Sequence, residues 1–288
     1  MHTFARLSGG LGNQFFQLNA CLFAVRSLFS DNFSLDCRFL SGYETARDFE
    51  IDFILRHLPG NHAYSGFSGF PALASRLRFG RLFDSTIGPC AFISSTSKLQ
   101  KLKRKSLKWV ILDGYFQDPA ILLPDTDRLS LFGKLANEFS YLPGVLALGV
   151  SQSLVSIHIR RGDFVTSKSA SNVFNTVSLD YYRTAIRSFP SDVTFLVFGD
   201  DPLVTSHFAA EIGGVDMASR GLALKEEFML MSLCDHHIIA NSTFSWWAAH
   251  LGYHPAKRVI SPRDWYVDPE RSKSNTLLLP HFELLPAA

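Results

Sequence analysis

Val155, Ile157 and Ile159 alternate with Ser156, His158 and Arg160, the period-two pattern of a strand with one apolar face. Further strand-like runs lie at Thr194–Phe198, His237–Ala240 and Arg258–Ile260. Helical spacing fills the gaps, at Leu179–Phe189, Leu203–Ile212, Glu226–Leu233 and Phe244–Leu251. Strands alternating with helices predict right-handed βαβ units and a parallel sheet covered on both faces. The amino-terminal half opens the same way, with a strand Thr3–Leu7, a glycine turn Ser8–Gly12 and a largely apolar helix Asn13–Leu28. Strands are also predicted at Phe33–Cys37 and Trp109–Asp113, whereas Gly60–Lys108 gives no clear period. The Pro143-Gly144 pair and the segment to Ser153 form the expected junction, which divides the α/β chain into 1–150 and 151–288.

Composition narrows the class. At 288 residues and 47% hydrophobic content, the chain can bury a core in each of two domains. A net charge of +2 carries no nucleic-acid footprint. The run Lys98, Lys101, Lys103, Arg104, Lys105 and Lys108 is a local exception, read as a solvated face with contact to an acidic surface as the alternative. Cys21, Cys37, Cys90 and Cys234 are scattered without a CxxC pair, which fits a reducing compartment better than a zinc site or disulfide framework. No apolar window reaches the length of a membrane span, so the expectation is a cytoplasmic protein, with peripheral contact at the inner face of a membrane left open.

The strand ends carry the candidate chemistry. A parallel strand presents ligands at its carboxyl end. There Arg160 and Arg161, beside His158 and Asp163, suit a diphosphate, because guanidinium offers a permanently charged fork to phosphate oxygens. Ser8-Gly9-Gly10-Leu11-Gly12-Asn13-Gln14 opens a helix whose N–H groups can approach a ligand, with Asn13 and Gln14 suited to sugar hydroxyls or phosphate. Phe15 occupies the third-glycine position of a dinucleotide fingerprint, which weakens a nicotinamide-dependent reading. Asp200 and Asp201 either cap a helix with Pro202 in its first turn or contact a ligand. Glu226 is expected to stabilise a helix start, while Glu227 can accept from guanine. Asn241, Ser242, Thr243, Phe244 and Ser245 begin a helix and form a second anion site. Of Trp246 and Trp247, at least one belongs in the core. Asp125-Thr126-Asp127 has the D-x-D form of a metal site but sits in a polar, Pro124-flanked loop, and no other cluster has metal spacing.

Taken in order, these elements resemble the α-1,2-fucosyltransferases of glycosyltransferase family 11. The resemblance rests on Gly9–Gln17, on Gly114-Tyr115-Phe116-Gln117, on His158–Asp163, on Phe198–Asp201, on Met231–Trp247 and on Pro262–Tyr266. It spans the chain, with Gly199 standing where the family often has Ser and Ala248 where it often has Gly.

The resemblance implies a GT-B-like fold, two Rossmann-like domains with parallel sheets facing across a cleft. GDP-fucose would bind the C-terminal domain, with the acceptor on the N-terminal one. The reaction would be inverting, moving fucose to the 2-hydroxyl of a terminal β-galactoside, lactose-type or part of a lipopolysaccharide O-antigen, without a metal or other cofactor. By analogy with more distant fucosyltransferases, Arg160 is similar to the arginine that clamps the β-phosphate. His158 and Glu227 look like guanine contacts, Thr243 and Ser245 like phosphate contacts. Gly10, Gly12, Gln14, Arg161, Asp200, Asp201, Asn241, Ser242 and Phe244 are expected to line the substrate site, with Asn13 near the reacting sugar. Because transfer benefits from a carboxylate that deprotonates the acceptor hydroxyl, Asp163 is expected to be the base, with Asp36, Asp113 and Asp118 as rivals and a proton carried through the departing phosphate as the alternative route. A nicotinamide-dependent enzyme and a non-catalytic glycan-binding module remain the other readings.

Overall fold

The computed structural model describes residues 1–30, 32–38, 40, 47–58, 62–63, 84–104, 106–145, 153–162 and 171–288. The chain divides into two compact units, Met1–Arg128 and Leu129–Ala288. The division falls within the helix Asp125–Glu138, ahead of the Pro143–Ser153 segment read as a junction.

In the first unit, strands β1 (His2–Arg6), β2 (Asn32–Asp36), β3 (His62–Ala63), β4 (Ser85–Ile87), β5 (Cys90–Ile93) and β6 (Trp109–Leu112) form one sheet in the order β3-β2-β1-β6-β5-β4. All neighbours run parallel except the β4–β5 hairpin. Helix Leu11–Ser27 follows β1 and is buried along most of its length. Three of its buried side chains are amides, and each is paired with backbone or a loop hydroxyl, as buried amides must be. Gln17 binds Ser8, and Asn19 bridges the Ile121 carbonyl at 2.9 Å and the Leu123 N–H at 3.0 Å.

In the second unit, β7 (Leu154–Ile159), β8 (Thr194–Gly199), β9 (Val215–Asp216), β10 (His236–Ile238), β11 (Val259–Pro262) and β12 (Glu283–Leu285) form a fully parallel sheet, ordered β12-β11-β10-β7-β8-β9. Val155, Ile157 and Ile159 pack with Val197, Ile238 and Ile260 beneath Tyr181, Tyr182 and Phe208, so the alternation seen in the sequence is the core face. Trp246 and Trp247 are both buried.

Each sheet has a point where the strand order reverses: between β1 and β6 in the first unit, between β7 and β10 in the second. Ligands of open α/β sheets bind outside the carboxyl ends at such points. The glycine turn follows β1, and the Arg160-Arg161 pair and Asn241 follow β7 and β10.

The strands and helices predicted from periodicity are present, with ends shifted by up to three residues. The short β3, β4, β5, β9 and β12 and the helices Thr96–Lys101 and Pro269–Lys273 are additional, too brief for a period to register. Asp125-Thr126-Asp127 is corrected from a loop to the first turn of helix Asp125–Glu138, where acidic residues suit the helix dipole. Asp125 pairs with Arg128 at 3.0 Å and Asp127 with Arg26.

Candidate active site

At the second switch point, Asp200 organises the arginine pair. Its Oδ1 accepts from the N–H groups of Arg161 at 2.7 Å and Gly162 at 3.0 Å, and its Oδ2 pairs with Arg160 Nη1 at 2.8 Å. One carboxylate from β8 thus sets both the backbone after β7 and the direction of the guanidinium. A Cβ on Gly162 would lie 2.5 Å from Asp200 Oδ2, so a larger residue there would displace the carboxylate from this position. A Cβ on Gly199 would lie 2.3 Å from Thr205 Oγ1 and 2.9 Å from the Ile159 carbonyl, so the backbone packs tightly at this point, where the family often has Ser. Asp201 takes the other expected role. It caps helix Pro202–Ile212, accepting from Leu203 and Val204 at 3.1 and 3.2 Å, an interaction worth about 1 kcal/mol.

His158 is buried beside this pair, its ring 5.5 Å from Phe244. Burial first, and then the Arg160 charge, hold its pKa down at about 4, with Asp200 opposing. The imidazole is therefore neutral at physiological pH. Its Nδ1 has no hydrogen-bond partner among the described residues.

At β10, Ser242 caps helix Thr243–Leu251, accepting from the Phe244 N–H at 3.3 Å, and buried Ser245 donates to the Ser242 carbonyl at 3.4 Å. Thr243 begins the helix. Asn241 is a structural latch: its Nδ2 donates to the carbonyls of Asn175 at 2.7 Å and Trp265 at 2.9 Å, while its Oδ1 has no partner among the described residues. Helix Leu224–Ser232 packs alongside, with Phe228 edge-on to Phe244 at 5.5 Å. Glu226 reaches back to the Ala223 N–H at 2.8 Å, the stabilising role expected of it. Glu227, one residue on, is half-buried, and burial pushes its carboxyl up to about 7.

Sequence reasoning missed the residues that support these strand ends. Adjacent Tyr181 and Tyr182 are both buried. Tyr182 donates to the His158 carbonyl at 2.9 Å, and the Tyr181 hydroxyl lies 2.8 Å from the Ile239 carbonyl and 3.0 Å from that of Ile260. Asn175 holds the carbonyls of Asp264 and Tyr266. A doubled tyrosine in an amphipathic helix was the available signal, since a buried phenol needs an acceptor.

At the first switch point, Gly9 sits at φ 74, and a Cβ there would lie 2.4 Å from Asn13 Nδ2. Asn13 accepts from Gln117 Nε2 at 2.9 Å, which joins two motifs far apart in sequence. Gly10 precedes helix Leu11–Ser27 without a side-chain cap, and Gly12 is buried in the first turn. Gln14 is fully buried, bonded to the carbonyls of Gly9 and Asp48 and the N–H of Glu50. Its amide holds the 48–50 loop. Glu50, which the sequence did not single out, lies over Gly10, 3.6 Å from where a Cβ would be, and burial raises its pKa.

Asp163 lies outside the described residues. Its rivals divide clearly. Asp36 is buried and held by Arg38 through both oxygens, at 2.8 and 2.9 Å. Asp118 caps the turn Pro119–Ile121. Asp113 follows β6, pairs with Arg6, and has its pKa raised by burial against that charge. Among the described residues, no group of three His, Cys, Asp or Glu side chains could hold a metal ion.

Two α/β units on largely parallel sheets, each with its polar motifs at the order-reversal edge, have a GT-B-like fold. The sequence profile of Glycosyl transferase family 11 matches residues 95–282, and the chain belongs to that family. The O-antigen biosynthesis glycosyltransferase WbnK of Escherichia coli is 30% identical, over 93% of this chain and 96% of its own. The alpha-1,2-colitosyltransferase of Escherichia coli is 27% identical over 94% of each. The fucosyltransferase NodZ from Bradyrhizobium superposes with a TM-score of 0.50 at 13% identity, covering 87% of this chain and 92% of that one. The NodZ alpha-1,6-fucosyltransferase soaked with GDP-fucose gives the same TM-score at 12% identity. These structures share the fold. Among the described residues, no helix is long and apolar enough to cross a membrane.

Proposed function

We propose that this family 11 glycosyltransferase moves fucose from GDP-fucose to the 2-hydroxyl of a terminal β-galactoside, inverting the anomeric centre to an α-1,2 linkage, without a metal. The observation that carries this reading is the order-reversal edge of the second unit. Arg160 clasped by Asp200 ends one strand, and the start of helix Thr243–Leu251 follows its neighbour. In the reaction the bond from fucose C1 to the β-phosphate oxygen breaks, and its electron pair stays on GDP. The acceptor oxygen bonds to C1 and gives up its proton to a base. Negative charge grows on the β-phosphate, and preorganised cationic and N–H donors lower the barrier most when aimed at that oxygen. Arg160, Arg161 and the Thr243–Ser245 N–H groups are proposed to supply them. Asp163 is proposed as the base, with Asp113 its rival.

Incubation with GDP-fucose and a lactose-type acceptor, followed by NMR of the product, tests the reading. An α-1,2-fucosylated product is expected. Transfer from GDP-colitose alone would reassign the donor, and donor turnover without any glycoside product would overturn the acceptor class.

Glu227 and His158 are proposed to read guanine. A carboxylate accepts from N1–H and the 2-amino group together, and adenine offers no such pair. Only the ionised form accepts both, and the Glu227 pKa of about 7 makes ionisation the limiting step below neutrality. GDP affinity should therefore rise with pH up to about 7 and then level, with up to about a tenfold change per unit well below it. Glu227→Gln should flatten this profile and narrow the preference for GDP over ADP. Calorimetric titration across the pH range checks both, and an unchanged profile removes Glu227 from the pocket.

Metal independence has its own test. Transfer should persist in excess EDTA. Activity lost on chelation and restored by Mg²⁺ would recast Asp200 and Asp201, now engaged with Arg160 and a helix cap, as ligands.

A further inference from the structure

The carboxyl edge of the first sheet carries the glycine turn and Asp113; its opposite, amino edge has a different character. His2 lies beside Asn32 and Trp109, and Trp109 beside Cys90, so the starts of β2, β1, β6 and β5 line up. Ser30 donates to the Met1 carbonyl at 2.7 Å, the Lys108 N–H to Pro89 at 2.8 Å, and the Leu107 N–H to Arg104 at 2.9 Å. With the His2 N–H bonded to the Lys108 carbonyl at 2.9 Å, they bring four segments distant in sequence onto one edge, about 19 Å long for five strands at about 4.8 Å spacing.

That edge is cationic and apolar at once. Lys101, Lys103, Arg104 and Lys108 are exposed there, with Lys98 one turn away on helix Thr96–Lys101. None of the five takes part in an ion pair among the described residues, and no Asp or Glu occurs between Ser85 and Asp113. Two large apolar side chains flank the cations: Phe29, 76% exposed, at the β2 end and Ile87, 47% exposed, at the β4 end. Phe29 is held at φ 51, an unfavourable conformation for an aromatic residue, and its burial offsets none of that cost.

We propose that this amino edge docks the enzyme on an anionic membrane surface, with Phe29 and Ile87 entering the headgroup region and the cations meeting acidic headgroups. A cationic strip alone would suit any polyanion. Exposed apolar anchors among the cations favour a bilayer, which offers acyl boundary and negative charge side by side. The carboxyl edge with its polar motifs lies at the other end of the same strands. This inference does not depend on the identity of the donor or acceptor.

The test is co-sedimentation of the full chain with vesicles of phosphatidylcholine alone or mixed with phosphatidylglycerol. Binding is expected only to the mixed vesicles and should weaken with salt. Each lost cation should weaken it by up to about fivefold, so K101E/K103E/R104E/K108E should bind at least about tenfold less. Lys103→Gln with Arg104→Gln is the milder second variant should the reversal impair folding. Phe29→Ser should reduce vesicle binding severalfold while leaving retention on heparin unchanged. Turnover on a soluble acceptor should be retained in all of them. Vesicle binding that is absent, or indifferent to the charge variants, overturns the proposal. So does binding to heparin or duplex DNA as tight as to mixed vesicles with no effect of Phe29→Ser, which would make the edge a general polyanion surface.

Discussion

Replacing Arg160 with lysine should lower transfer on the order of 10²-fold or more, the scale on which a donor to developing charge is lost. The substitution keeps the charge and removes the fork. A guanidinium presents five N–H donors in one plane, so it can meet the Asp200 carboxylate and a phosphate together, whereas an ammonium is a flexible point charge. The position magnifies the loss. Arg160 leaves β7 at the point where the sheet order reverses, and Asp200 holds its guanidinium at 2.8 Å. GDP binding should fall less than turnover, because charge on the β-phosphate is greatest as the glycosidic bond breaks. Steady-state rates with GDP titration in parallel separate the two. Near-normal turnover in a folded Arg160→Lys protein would sink the assignment.

Much of this site was legible because strand ends announce themselves. The alternation Val155–Arg160 gave the strand and its buried face, and the rule for parallel sheets then placed Arg160 at the ligand edge. The first unit was legible for the same reason at β1, β2 and β6. The hairpin β4–β5 and the other short strands escaped, since two to four residues cannot establish a period.

The roles of individual polar residues were harder to read. Gln14 lies in a motif that invites a ligand, yet tertiary structure buries it and pairs it with the 48–50 loop. Asp200 and Asp201 look equivalent in sequence. One caps a helix and the other clasps an arginine from the neighbouring strand, a difference set by β7–β8 register. Glu226 and Glu227 diverge likewise, one bonded at the helix start and one half-buried with its pKa raised by that burial. Local pattern locates such residues, but long-range pairing assigns their work.

Asp200→Asn and Gly162→Ala should give the same defect from opposite directions. The asparagine oxygen can still accept from the Arg161 and Gly162 N–H groups, but its amide presents donors and no charge to Arg160. The alanine methyl would start 2.5 Å from Asp200 Oδ2 and 3.0 Å from its Cγ, so the carboxylate must swing away from the arginine. Both leave Arg160 present and misdirected, which makes Asp200 a positioning residue. Turnover should fall on the order of 10-fold, equivalent to about 1.4 kcal/mol of barrier, with a smaller effect on KM. A structural defect alone would lower stability and add to any other lesion. A positioning defect should not add: in an Arg160→Lys background, Asp200→Asn should cost little further, because the group it directs is gone. A double-mutant cycle on turnover, with thermal melts of each variant, decides between them. Full additivity with reduced melting temperatures would assign Asp200 to the fold and return the arginine's alignment to its own backbone.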